Sequence, residues 1–579
     1  MRNLLIALAL LFAAAPALAD DKALNDLVAD YEAYALGQDP IQAGREGDRK
    51  ALARLPDASV GADALRRSAY EEFKARLDAI DPAGLTAEAQ LNRSFLAWTL
   101  ERRIKSIGFD EARMAFNSDS GFDQDLGYIA STTRLDSEAD AEAWTQRLKA
   151  LPRYYAQNID NAGRGVKTRF TQPRSTSDSV LARAKAAAAA PVERDPLLKP
   201  FDGADLPPAR LAEMRATAVV IVRDQVRPAQ RDFATFLEKE YLPASRKAPG
   251  ARSLPGGEAY YAWLVADHTT TALTPDQIHA LGLSEVARIR AQMETVKTEA
   301  GFSGDLTAFI AMLRQDPRFY ATSRAALLEK AALIDKRIDD LLPRYFATLP
   351  RLTFGVRPVP AEIEDGYTSA RYFEGAPKQG VAGGFMVNTS HLDQRPLYEL
   401  PALAAHESVP GHHLQIALGQ ELEGVPAFRR NAGVTAFTEG WGLYAERLAG
   451  EMGLYRDAYE RFGALSMEMW RACRLVADTG IHWKGWSVDQ ARACFTDNTA
   501  LAPHNIDVEL ARYVGWPGQA LAYKVGQLKI LDLRERAKSR LGEKFDIRRF
   551  HDAVLLAGPL PMDLLEARVD AWISADGGR

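Results

Sequence analysis

The chain reads as a mainly α-helical protein with one small β-rich interlude in its second half. Three observations predict this. Apolar residues recur at spacings of three and four through most of the 579 residues, strand-like alternation is scarce, and between Phe354 and Ser390 the text breaks into short β-prone pieces separated by Gly and Pro.

The first nineteen residues, MRNLLIALALLFAAAPALA, place one Arg before an apolar run and end in Ala17-Leu18-Ala19. That is the layout of a secretory signal peptide with an A-x-A cleavage site. The run is short for a bilayer span, and Pro16 interrupts it. The expected mature chain begins at Asp20 and is periplasmic or secreted. It has no lipidation Cys after the run and no later segment apolar for eighteen residues, so no membrane span is expected in it. Removing Arg2 leaves 71 basic against 77 acidic residues, with no long basic run, which excludes nucleic acid as a partner. Cys473 and Cys494 are the only cysteines, too few for a disulfide framework but enough for one bridge in an oxidising compartment.

From Lys22 to Glu240 the text is a succession of amphipathic helices, as in SEADAEAWTQRLKALPRYYAQNID. SVLARAKAAAAAP is expected to be helical as well, because Ala is the best helix former and Pro191 stops the run. Pro and Gly then cluster in YLPASRKAPGARSLPGGEAYYAWLVADHTT, which marks a break. An N-terminal helical lobe is therefore expected over 20–255 and a second, site-bearing lobe over 256–579. Helix resumes at Thr274-Pro275-Asp276-Gln277, where Thr can cap, Pro suits the first turn, and Gln sits three after the cap. FGVRPVP, GYTSARYF and GFMVNTS predict a small sheet or hairpin, with GFMVNTS either a structural strand or an edge to which an extended peptide could add. Helical periodicity returns at Leu397 and continues to the end.

Chemistry concentrates in ALAAHESVPGHHLQIAL, where three histidines and Glu407 fall within eight positions. In H-E-x-x-H the histidines lie four apart, about 6 Å along one helix face, so both reach one zinc. Here position four is Pro410. A straight helix would point His412 about 240° away from His406, or carry His413 about 10.5 Å along the axis, and neither spacing suits a shared zinc. Pro410, however, denies a hydrogen bond to the His406 carbonyl and crowds it, so the ladder must open. Two extra residues taken up as bulges would let His406 and His412 act as an i, i+4 pair, with Gly411 easing the bend; a full break would instead allow His413 in. Glu439, in VTAFTEGWGLYAERLAGEM 27 residues after His412, is the expected third ligand, with Glu446 on the same face as its rival. Glu407 is then free to act as general base.

HESVPGHHLQ, FTEGWGLYAE, DTGIHWKGWS and RYVGWPGQALAYKVG, in that order, resemble the bacterial family named domain of unknown function 885, over most of the mature chain. That family is similar, more remotely, to gluzincin metallopeptidases of the converting-enzyme and oligopeptidase type. This implies a large two-lobed helical body around a deep cleft, zinc, and short peptides as substrates. The positions matching the converting-enzyme pattern are His406, Glu407, Gly411-His412, Glu439 and Arg512-Tyr513, while the Ser408-Val409 insertion departs from it. Tyr513 and His482 become candidate donors to an oxyanion, with Tyr523 and Lys524 as rivals and a packed or positioning role open for His482.

The expectation is therefore an exported zinc hydrolase cutting amide bonds of short peptides. Zinc is held by His406, His412 and Glu439, and Glu407 moves the proton. A facial-triad Fe(II) oxygenase would share the two-His, one-carboxylate set but leave Glu407 without a task, and a peptide-binding protein without turnover would not require Glu407.

Overall fold

The computed structural model describes residues 2–577 apart from Asp119, 362–363, 365–366 and 378–379. The side chains of residues 1–19, on which the export reading rests, lie outside what is described. The fold is mainly α with one small sheet. It divides into two compact units between Gly257 and Glu258. No helix among the described residues is long and apolar enough to cross a membrane.

The first unit opens with helix α1 (Arg2–Gln38), and its centre is α2 (Glu138–Thr168). Ser137 caps α2, accepting from the Asp140 N–H, and Trp144, Leu148, Leu151 and Tyr155 repeat at helical spacing into an aromatic core with Phe116, Phe122 and Phe233. The Ala-rich run forms α3 (Arg174–Ala189), which ends at Ala190 before Pro191.

In the second unit the Pro- and Gly-rich break is shorter than its composition suggests. Its latter part, GEAYYAWLVADHT, is helix α4 (Gly257–Thr269), because its apolar and aromatic residues have a core to enter. Helix α5 (Pro275–Glu299) carries the expected capping box between Thr274 and Gln277, and α6 (Arg324–Tyr345) follows. Strands β1 (Phe354–Pro358), β2 (Ala370–Phe373) and β3 (Gly383–Val387) form a sheet of order β1-β3-β2, with β3 parallel to β1 and antiparallel to β2. GFMV is thus the central strand. Both its edges are paired, which removes GFMVNTS as an edge for strand addition.

The later helices that carry or surround the site residues include α7 (Leu400–Glu407), α8 (His412–Glu421), α9 (Thr435–Glu451), α10 (Ala458–Thr479), α11 (Val488–Asn498), α12 (Pro503–Gly515) and α13 (Ala522–Leu541). Nearly every residue of α10 from Ser466 to Thr479 is buried, as expected of a helix enclosed on all sides. A disulfide joins Cys473 of α10 to Cys494 of α11.

Candidate metal centre

The helix carrying HESVPGHH does not bulge; it stops. After Glu407, Ser408 leaves helical geometry (φ −102°, ψ −114°), the Val409–Pro410 peptide is cis, and α8 starts afresh at His412. The expected phase-restoring bulges are replaced by a four-residue turn between two helices. A Cβ on Gly411 would lie 2.0 Å from the His406 carbonyl oxygen and 2.4 Å from that of Ala405, so only glycine lets the chain double back over the end of α7. The turn is pinned at several points. His413 N–H donates to the Ser408 carbonyl (3.0 Å), and Trp441 Nε1 of α9 donates to the Pro410 carbonyl (2.8 Å). Ser408 Oγ lies 2.7 Å from the Ala404 carbonyl and 2.5 Å from Asp335 Oδ1 of α6. Burial pushes the Asp335 carboxyl up to about 8, so near neutrality it carries the second proton that this pair of contacts needs.

This turn brings His412, rather than His413, to His406. The two rings meet edge to face with centroids 4.6 Å apart, and one ligand atom from each of His406, His412 and Glu439 lies within 4.8 Å of the others. Glu439 Oε2 is 3.6 Å from His406 Nε2 and 3.4 Å from His412 Nε2. These separations fall short of good hydrogen bonds, and Glu439 Oε2 and His412 Nδ1 are buried polar atoms with no hydrogen-bond partner among the described residues.

Helix α9 supplies more than the carboxylate. Glu439, Gly442 and Glu446 share the face turned to His406. A Cβ on Gly442 would come within 2.7 to 3.0 Å of three ring atoms of His406. Glu446, the rival third ligand, sits behind that ring. Its Oε1 accepts from His406 Nδ1 (2.8 Å) and pairs with Arg471 Nη2 (3.1 Å), which turns His406 Nε2 toward Glu439. Burial opposes charge on His406, yet the neighbouring carboxylates of Glu439 and Glu446 lift it to about 10. Burial likewise opposes ionisation of Glu439, and the two imidazoles outweigh it, holding the carboxyl well below its usual range.

Glu407 Oε2 accepts the backbone N–H of Tyr372 in β2 at 2.7 Å, its one hydrogen bond among the described residues. His413 turns away from the cluster. Its Nε2 donates to the Leu352 carbonyl (3.0 Å), its Nδ1 meets Tyr372 Oη (3.1 Å), its ring packs on Phe354 (4.5 Å), and burial pushes it down to about 4.

Tyr513 and His482 are held by hydrogen-bond partners of their own. Tyr513 is buried; its hydroxyl donates to Glu509 (2.8 Å) and accepts from Arg474 (2.9 Å) and Trp470 (3.1 Å). His482, in a π-helical turn after α10, donates from Nε2 to the Tyr513 carbonyl (2.9 Å) and packs against Tyr261. Tyr523 accepts from Arg512 (3.2 Å), and Lys524 is enclosed by Glu285 (2.9 Å) and Glu468 (2.6 Å). Residues not singled out from sequence are Trp441, Gly442, Asp335 and Tyr372. Of these, Gly442 and Trp441 had a signal in the unusual TEGWG run, whereas Tyr372 acts through its backbone and had none.

With this fold and site, the chain belongs to the family of bacterial proteins of unknown function DUF885, which matches residues 40–569. It is similar to the crystal structure of a "putative lipoprotein" from Colwellia psychrerythraea, with a TM-score of 0.90, 28% identity, and coverage of 96% of this chain and 99% of the other. A "putative lipoprotein of unknown function" from Shewanella oneidensis shares the fold with a TM-score of 0.74 at 17% identity, over 94% of this chain and 99% of the other. No curated protein matches.

Proposed function

We propose that the protein is an exported zinc-dependent hydrolase that cleaves amide bonds in short peptides. The observation that carries the reading is the buried Glu439 oxygen, without a hydrogen-bond partner and faced by the Nε2 atoms of His406 and His412, with Glu407 next in sequence to one of them. An unpaired buried carboxylate oxygen costs several kcal/mol in isolation. Two imidazoles and a carboxylate are the donor set of a catalytic zinc that keeps a position open, so the residues fit the ion. Zinc held there would polarise a carbonyl and make a water more acidic.

The chain's own residues do the rest. The Tyr372 N–H fixes one oxygen of Glu407, leaving the other to take a proton from water and return it to the departing amine. Glu446 and Arg471 hold the back of the His406 ring. Three features support export: the signal-like leader, the Cys473–Cys494 disulfide, which suits an oxidising compartment, and relatives described as lipoproteins. The peptide substrate class rests on the likeness of the motifs to gluzincin peptidases. Metal analysis of the purified mature protein, alongside digestion of a mixed peptide library, tests the reading. Zinc at one per chain with cleavage sensitive to chelator is expected. Iron in place of zinc would favour the facial-triad oxygenase, and zinc without cleavage would favour a binding protein.

A further inference from the structure

Resting on the assignment of Glu407 as the base, we propose that His413 and Tyr372 form a positioning pair that aims the Glu407 carboxylate through the backbone of β2. Glu407 has one hydrogen bond among the described residues, and it comes from the Tyr372 main chain, so the direction of the carboxylate follows the position of β2. Strand β2 lies at the sheet edge; among the described residues it pairs with β3 alone, so its outer side needs a tie other than a second strand. The Tyr372 side chain is that tie.

His413 Nε2 lies 3.0 Å from a carbonyl, which only accepts, so Nε2 carries the ring proton and Nδ1 is the acceptor. The Tyr372 hydroxyl therefore donates to Nδ1. The imidazole thus bridges two segments: the Leu352 carbonyl leading into β1, and the Tyr372 side chain of β2. Between them, in β3, stands Gly383, where a Cβ would lie 2.7 Å from Tyr372 Oη and 2.8 Å from His413 Nδ1. The pair therefore occupies space that any other residue at 383 would take. His413 also follows His412 directly at the start of α8, so the helix that presents a metal donor also fixes the sheet that orients the base. Neither member of the pair is one of the three donors or Glu407 itself. Both act through the Tyr372 amide.

One test needs no turnover. The Tyr372 amide is followed by selective 15N-tyrosine labelling and hydrogen exchange in the full chain, in wild type, His413→Leu and His413→Gln. Gln can still donate to Leu352 and accept from Tyr372, whereas Leu can do neither. Exchange at Tyr372 should accelerate at least tenfold in His413→Leu and return toward wild type in His413→Gln. Unchanged exchange in a folded His413→Leu would overturn the proposal whether or not the protein proves to be a hydrolase. Tyr372→Phe serves as the second variant, keeping the ring and losing only the hydroxyl. It should keep wild-type zinc content and KM while kcat falls on the order of 10- to 100-fold, the scale of a small misplacement of a reacting group. Wild-type kcat in Tyr372→Phe, or loss of zinc in step with kcat, would refute it. A wild-type protein without any hydrolysis would count against the base assignment alone, leaving the exchange arm to decide the pairing.

Discussion

Two buried polar clusters in the second unit look alike in sequence and differ in structure. Around His406, His412 and Glu439, the Glu439 Oε2 and His412 Nδ1 atoms lack hydrogen-bond partners among the described residues, although the back of the His406 ring is held by Glu446. Around Tyr513 and His482, the hydroxyl and the Nε2 read as oxyanion donors are already engaged, by Glu509, Arg474, Trp470 and the Tyr513 carbonyl. Each cluster is made of residues with catalytic repertoires. The difference is where unmet bonding capacity points. A polar group whose partners are complete stabilises the fold, and one that is oriented but unpaired has capacity left for a ligand.

The largest effects should come from removing unpaired donors. His406→Ala, His412→Ala and Glu439→Gln are each expected to leave the dialysed protein nearly free of zinc by elemental analysis, with His413→Ala retaining it. Full occupancy in Glu439→Gln would erase the contrast between the clusters. Next, Glu407→Gln should keep the metal and lose turnover by about 10²–10⁴-fold, the usual contribution of a general base; peptide-hydrolysis rates within a factor of a few of wild type would remove Glu407 from the mechanism. Glu446→Gln is expected to be milder, weakening zinc affinity by about 10–100-fold in chelator competition, because it orients a donor without being one. The smallest catalytic effect is expected for Tyr513→Phe. Its kcat should stay within a few-fold, while denaturant unfolding shows a loss of about 1–3 kcal/mol from a hydrogen bond to the buried Glu509 carboxylate and two donors left without their acceptor. A hundredfold fall in kcat at unchanged stability would place Tyr513 with the reacting groups after all.

Much of this was legible in the sequence. Helical periodicity, the Thr274 cap and the end of α3 before Pro191 follow local rules, and the grouping of His406 and His412 with a carboxylate on a later helix could be reasoned from spacing. The path between the two histidines could not. Phase arithmetic presumes a continuous helix, and Pro410 with Gly411 abolished the helix instead of bending it. The place of GFMV in the sheet was hidden because strand order depends on long-range pairing that β-propensity does not encode. Tyr372 was invisible for a different reason: it reaches Glu407 through an amide that almost any residue possesses. Glu446 and Glu439, seven apart on one face, were indistinguishable by periodicity, and only the side of the His406 ring each one meets separates them.

The indole of Trp441 on the Pro410 carbonyl has a consequence for how the site comes together. Helix α9 contributes Glu439, the gap at Gly442 that seats His406, the carboxylate of Glu446 behind that ring, and the bond that secures the turn before His412. All three donors thus converge only while α9 is docked, and a local opening of this one helix would scatter them at once. Mass action runs the other way as well. An ion bound at a hundred times its dissociation constant would oppose that opening by about 2.7 kcal/mol, so occupancy would be felt as slower amide exchange along the whole of α9, beyond the turn that carries Glu439.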